Sequence, residues 1–190
     1  PANVITKLKT EIDTVRTKYG YQWKDLIRII HIADTDGTFT KDCVVKADVK
    51  SIQYYEDHME SANVEVTQQR NANKAEVMFK LSSTNKINST DYRLYFNSCN
   101  LEHVLHNALK DFSDGEKEEM SDAFAEKYKG HLPEFISFIS DPDIAVSGTY
   151  RETWKFIARD KHSLQRHTNM HLIFDSDGLS TSAQTEAAHN

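Results

Sequence analysis

Only two cysteines, Cys43 and Cys99, occur in 190 residues, and they form no close-spaced motif. That excludes a disulfide framework and points to a reducing cytoplasm. No apolar run approaches the roughly 20 residues that a membrane helix needs, and no signal peptide is visible, so no membrane role is expected. No basic excess exists either. Lys and Arg total 23 against 29 Asp and Glu, for a net charge of −6. A nucleic-acid partner would have to be gripped by a local patch. There is no internal repeat, no Gly-rich phosphate loop and no heptad array. The first residue is Pro1 rather than Met, which reads as processing or as part of something longer.

The chain does hold a sizeable core. Hydrophobic residues make up 38% and aromatics 10%, too many for a disordered chain, and the length suffices for a core without disulfides or structural metal. Val4, Leu8, Ile12, Val15 and Tyr19 recur at helical spacing until Gly20, predicting a helix over 3–19. Residues 26–33 (LIRIIHIA) are short, apolar and β-branched, as in a central parallel strand covered on both faces. Residues 50–60 and 70–81 read as helices, 82–91 as a loop and 92–96 (YRLYF) as a second strand. Further helices are expected over 101–109, 115–129, 132–140 and 150–160, while 163–174 is ambiguous. The alternation predicts an α/β fold, with a Rossmann-like parallel sheet flanked by helices and a helix-rich C-terminal half. One domain is expected over 1–175, with a core at about 22–110 and a helical part at 111–175. The small, polar residues 176–190 read as a flexible tail.

The functional centre is expected at Asp34-Thr35-Asp36-Gly37, where the first strand ends. Open α/β sheets bind ligands at the carboxyl ends of their strands. Two carboxylates two residues apart can meet at one hard cation, Mg²⁺ or Mn²⁺, and Gly37 permits the sharp turn. Asp is also favoured there as a helix cap or Asx-turn. Glu102, His103 and His106 share one helical turn, where a general base or a metal ligand could stand; Glu102 also suits the helix dipole. His167 and His171 are four apart. Arg151, Lys155, Arg159, Lys161, His162 and Arg166 make the C-terminal third locally basic, the one stretch suited to phosphate. Tyr150 and Trp154 could stack on bases there or serve the core. The acidic run 114–119 complements a helix N-terminus.

Two families share the acidic loop. IIHIADTDGTF resembles the Asp-X-Asp-Gly-Thr segment of haloacid-dehalogenase-like phosphatases. That resemblance implies Asp34 as nucleophile, Asp36 as acid/base and Mg²⁺, with Ser98 ending a later strand and Asp175 and Asp177 as the final acidic pair. Residues 26–110 also resemble the topoisomerase–primase (TOPRIM) type, particularly the RloB-like proteins of bacterial phage defence. There LYFNSCNLEHVLHN (94–107) matches a strand running through small polar residues into a helix. This resemblance implies a TOPRIM-like nuclease or nucleic-acid-processing subunit, with an ATPase as a partner. Asp34, Asp36 and Glu102 would be catalytic, with Asp34 and Asp36 holding the metal. Ser98, His103, Lys155, Arg159 and Arg166 stand as substrate-binding candidates. No strand ending in Glu precedes the Asp pair, and Glu11 falls within the first predicted helix. A third reading is therefore a non-catalytic interaction module with a degenerate site.

Overall fold

The computed structural model describes residues 3–109 and 112–175. The tail expected over 176–190 lies outside them. The fold is mixed α/β, with seven α-helices and two three-stranded sheets among the described residues. Neither sheet is wholly parallel, so the extended parallel sheet expected from the sequence is not what forms. The first sheet has the order β1–β6–β5, from β1 (Arg28–Asp34), β5 (Lys86–Ile87) and β6 (Thr90–Asn97). Strands β1 and β6 run parallel from Arg28↔Asp91 to Asp34↔Asn97, and β5 joins β6 antiparallel. The second sheet orders β2 (Val44–Lys46), β4 (Met59–Ser61) and β3 (Gln53–Tyr54).

The central strand is β6, not β1. Tyr92, Leu94, Tyr95 and Phe96 are all buried, together with Met78, Leu81, Trp154 and Ile157. Burying each such large apolar side chain contributes about 1.5–3 kcal/mol. β1 is an edge strand among the described residues, with Ile30 and Ile32 44% and 42% exposed. A continuous apolar run does not reveal which neighbour covers it, and here only one face is well covered. Ile29 and Ala33 on that face pack against the core built on β6, as do Val4, Ile5, Leu8 and Ile12 of α1 (Val4–Lys18).

β5 pairs with only the first two residues of β6, so most of that edge needs other partners. Side chains from the C-terminal third supply them. The Tyr150 hydroxyl donates to Leu94 O (2.8 Å), Phe96 N–H donates to Asn169 Oδ1 (2.8 Å), and the Thr168 hydroxyl donates to Phe96 O (2.8 Å). Ser98 N–H donates to His167 O (2.7 Å). The ambiguous stretch 163–174 is thus an edge cover, ending in the short helix α7 (Leu172–Asp175).

Residues 50–60 form strands rather than the expected helix. Ile52 and Tyr54, two apart, both pack on the small core of Val44, Met59 and Leu164. Tyr55 N–H donates to His58 O (3.0 Å), closing the turn, and the two rings stack at 4.4 Å. Period two therefore wins over helical spacing.

The helices follow the sequence reading more closely. α2 (Val64–Ser82) starts earlier than expected because Asn63 accepts from Val66 N–H as its cap. α3 (Leu101–His106) ends at Asn107, which takes a left-handed conformation. α4 (Asp114–Tyr128) opens on a Ser113–Glu116 capping box. It meets α5 (Leu132–Ile139) through an aromatic cluster of Phe124, Tyr128, Phe135 and Phe138. α6 (Tyr150–Ile157) lies beside the open edge of β6.

Candidate functional site

The parallel register carries Asp34 and Asn97 to the same end of the sheet, where Asn97 Nδ2 lies 3.4 Å from Asp34 Oδ1. Beyond them the two strand ends are stitched together. Thr35 N–H donates to Asn97 O (2.9 Å) and Asp36 N–H to Cys99 O (2.8 Å). Cys99 N–H donates to the buried Thr35 hydroxyl (2.9 Å), which donates onward to Ser163 O (3.0 Å). Asp36 and Gly37 have φ values of +48° and +62°. Two successive left-handed residues reverse the chain and turn the Asp36 carboxyl back toward the strand end. A Cβ on Gly37 would sit 2.6 Å from Leu164 Cδ2 and 2.8 Å from Met59 Sδ, so only glycine fits.

Asp34, Asp36 and Glu102 line one cavity of about 220 Å³. Glu102 is in the first turn of α3, set by Asn100, whose side chain accepts from His103 N–H (2.8 Å). Asn100, Gln53, Tyr54 and Lys117 complete the polar lining. Burial is the main force pushing the Asp34 carboxyl up, to about 6. The Asn97 amide opposes it, the negative charges of Asp36 and Glu102 add to it, and Lys74 offsets part. Burial, then the same two aspartates, raises the Cys99 thiol to about 12, which leaves it unreactive.

Two cationic partners of this loop escape a reading by motif. The Lys74 ammonium pairs with Asp36 Oδ2. Arg70 donates to Asp36 O (3.1 Å) and to Tyr54 Oη (3.3 Å). Both are on α2, one turn apart, on the same side of the helix as the buried Met78 and Leu81. Their spacing of four was the available signal.

The other candidates separate. Ser98 is buried, with its hydroxyl donating to His162 O (2.8 Å), so it anchors the edge cover. His103 is buried away from the cavity lining, and burial followed by the Arg166 and His167 charges pushes its pKa down to about 4. Arg166 donates to His103 O (3.1 Å) and Val104 O (2.7 Å), so its guanidinium caps the end of α3. Lys155 lines a different groove, with Arg93 and Arg151. Arg159 lines neither cavity. His106 packs edge-on against Phe124, 5.7 Å between centroids. His167 and His171 do not share a helix. His167 packs on Phe156 and His162, and burial, then the His162 charge, lowers it to about 4. Asp175 ends α7, not a strand, and does not line the acidic cavity; Asp177 lies outside the described residues.

Among the described residues, no three His, Cys, Asp or Glu side chains group closely enough to hold a metal ion by themselves. Mg²⁺, however, is commonly held by one or two carboxylates and keeps several waters. The hard oxygens of Asp34 and Asp36, with Glu102 on the same cavity, fit that requirement. No helix among the described residues is long and apolar enough to cross a membrane. Comparison with protein families, with curated proteins and with solved structures gives no match for this chain.

Proposed function

We propose that the protein is a metal-dependent phosphodiesterase of the TOPRIM-like type, a nuclease or nucleic-acid-processing subunit acting at the Asp34–Glu102 cavity. One observation carries the reading. The loops after β1 and after β6 bring Asp34, Asp36 and Glu102 to a single cavity at the carboxyl end of a parallel strand pair. Ligands of open α/β sheets bind at that end. The β1–α2–β6 order and the strand-to-helix junction at 94–107 support the TOPRIM-like resemblance.

Asp34 and Asp36 would hold Mg²⁺ or Mn²⁺, with Glu102 supporting the site. When bound, such an ion activates water and offsets charge on the phosphate. In the metal-free chain burial holds the Asp34 carboxyl up at about 6, so binding of the ion would displace its proton and tighten as pH rises. Lys74 holds the Asp36 carboxylate in place. The thiol state of Cys43 and Cys99 accords with a cytoplasmic setting. Phage defence and an ATPase partner follow from the resemblance to RloB-like proteins.

Lys74 favours a second reading, a dehalogenase-like phosphatase with Asp34 as nucleophile, because those enzymes also set a Lys beside their Asp pair. Glu102 on the cavity and Asp175 off it weigh for the phosphodiesterase.

The test is cleavage of DNA and RNA with Mg²⁺ or Mn²⁺, beside hydrolysis of p-nitrophenyl phosphate, by wild type, Asp34→Ala and Asp36→Ala. Metal-dependent cleavage of nucleic acid, lost in both variants, supports the first reading. Phosphate-ester turnover without strand cleavage supports the second. Equal activity in wild type and variants removes this loop from catalysis, and inactivity throughout leaves a non-catalytic module.

A further inference from the structure

A second cavity, of about 500 Å³, opens beside the N-terminal half of β6 and shares no lining residue with the acidic one. Arg93, Arg151 and Lys155 line it, with Phe79, Tyr150 and Trp154 as its aromatic wall. Its volume lies in the range of small-molecule sites, roughly 300–1,000 Å³. Arg93 precedes Asn97 by four strand residues, so the two sites stand on the order of 13 Å apart along β6.

The charge of this groove runs against that of the chain. Three cations and no carboxylate line it, in a protein of net charge −6. The acidic side chains nearby are committed elsewhere. Glu152 accepts from Thr149 N–H and from the Thr149 hydroxyl, both at 2.8 Å, as a helix cap. Asp91 faces Lys86 at 3.6 Å. The carbonyls at the C-terminus of α2, which would repel an anion, are also engaged: Phe79 O accepts from Ser82 and Ser83, and Lys80 O and Leu81 O from Thr84.

Arg93 is held ready. It donates to Asn85 Oδ1 (3.2 Å), and its guanidinium lies over the Tyr150 ring at 4.9 Å from the centroid. Arg151 and Lys155 are one turn apart on α6, so both project on the same side. Phe79 is 45% exposed, an aromatic surface open to a ligand. Cations beside aromatic faces are the chemistry that binds a phosphate joined to a base.

We infer that this groove binds a nucleoside phosphate, with Arg93, Arg151 and Lys155 on the phosphate and the Phe79–Tyr150 wall against the base. The moiety comes either as a free nucleotide or as part of a single strand. The inference does not depend on catalysis at the acidic cavity, and its test reads binding alone.

The test is calorimetric titration of the full chain in EDTA with AMP, adenosine, inorganic phosphate and a dT10 oligonucleotide. AMP or dT10 should bind, with adenosine and phosphate each weaker by about tenfold or more. Arg93→Met/Lys155→Met and the single exposed-site variant Arg151→Met should weaken binding, each lost phosphate contact lowering the salt slope by about one. Arg159→Met, outside the groove, should retain full affinity. Circular dichroism melts confirm that each variant is folded. Binding of dT10 at least about tenfold tighter than AMP assigns the strand, and equal or weaker binding assigns the free nucleotide. The inference is overturned if neither AMP nor dT10 binds, or if phosphate binds as tightly as AMP. It is equally overturned if the groove variants bind like wild type, or if Arg159→Met loses as much as Arg151→Met.

Discussion

Lys74 pairs its ammonium with the Asp36 carboxylate from 38 residues further along the chain, bringing a cation from α2 to the loop after β1. The pair is only partly buried, with side-chain exposures of 29% and 35%. It holds Asp36 in place while occupying an oxygen that a metal ion would use.

Replacing Lys74 by Met should therefore have two opposed effects. Without metal the protein loses a half-exposed ion pair, worth about 1 kcal/mol or less. With Mg²⁺ the freed carboxylate binds the ion more tightly, so the Mg²⁺-induced rise in Tm is larger than in wild type. Thermal melts with and without millimolar Mg²⁺ check both. An unchanged Mg²⁺ effect would show that Lys74 and the ion do not compete.

Asp34 makes stability depend on pH. Its folded pKa of about 6 lies above the ordinary 3.8, chiefly through burial. The folded protein thus binds this proton more tightly than the unfolded chain. The stabilisation is fully present below about 3.8 and is lost as pH rises through about 6. Asp34→Asn stays neutral at every pH. It should exceed wild type in stability by on the order of 1–2 kcal/mol near pH 7.5, after discounting for solvent access, and match it near pH 4. Urea unfolding at both pH values decides this.

Gly37→Ala should destabilise by about 2–4 kcal/mol. The new Cβ meets Leu164 and Met59, both fully buried, in a backbone at φ +62°. Denaturant unfolding gives the magnitude. A loss below about 1 kcal/mol would mean that the two side chains yield freely.

Arg166→Met should loosen α3 without touching the cavity directly. Two carbonyls at the end of that helix lose their guanidinium partner, at a cost of about 1–2 kcal/mol. Hydrogen exchange of the α3 amides should quicken, and activity that depends on Glu102 should fall with it. Arg166→Lys restores the charge but not the fork, so it should rescue only in part.

Much of the local structure was legible because its causes are local. Helices α1 and α4–α6 follow from spacing and caps, and β1 and β6 from β-branched and aromatic runs. Residues 50–60 carry helical spacing, yet Ile52, Tyr54 and Met59 owe their burial to Val44 on another strand and to Leu164, far along the chain. The apolar run of β1 suggests a central strand, because apolar residues do not show which strand lies beside them.

The turn at Asp34–Gly37 is written in its own residues. Carboxylates and a glycine after an apolar strand are a matter of neighbouring residues and backbone sterics, and the left-handed pair at Asp36 and Gly37 is their direct result. What the turn faces depends on contacts far along the chain. The register of β1 against β6 brings Glu102 to the cavity, and the path of α2 brings Lys74 and Arg70. Those are long-range pairings, set by how the core packs. The burial that this packing imposes raises the Asp34 carboxyl to about 6, with Asp36 and Glu102 adding to it and Lys74 offsetting part.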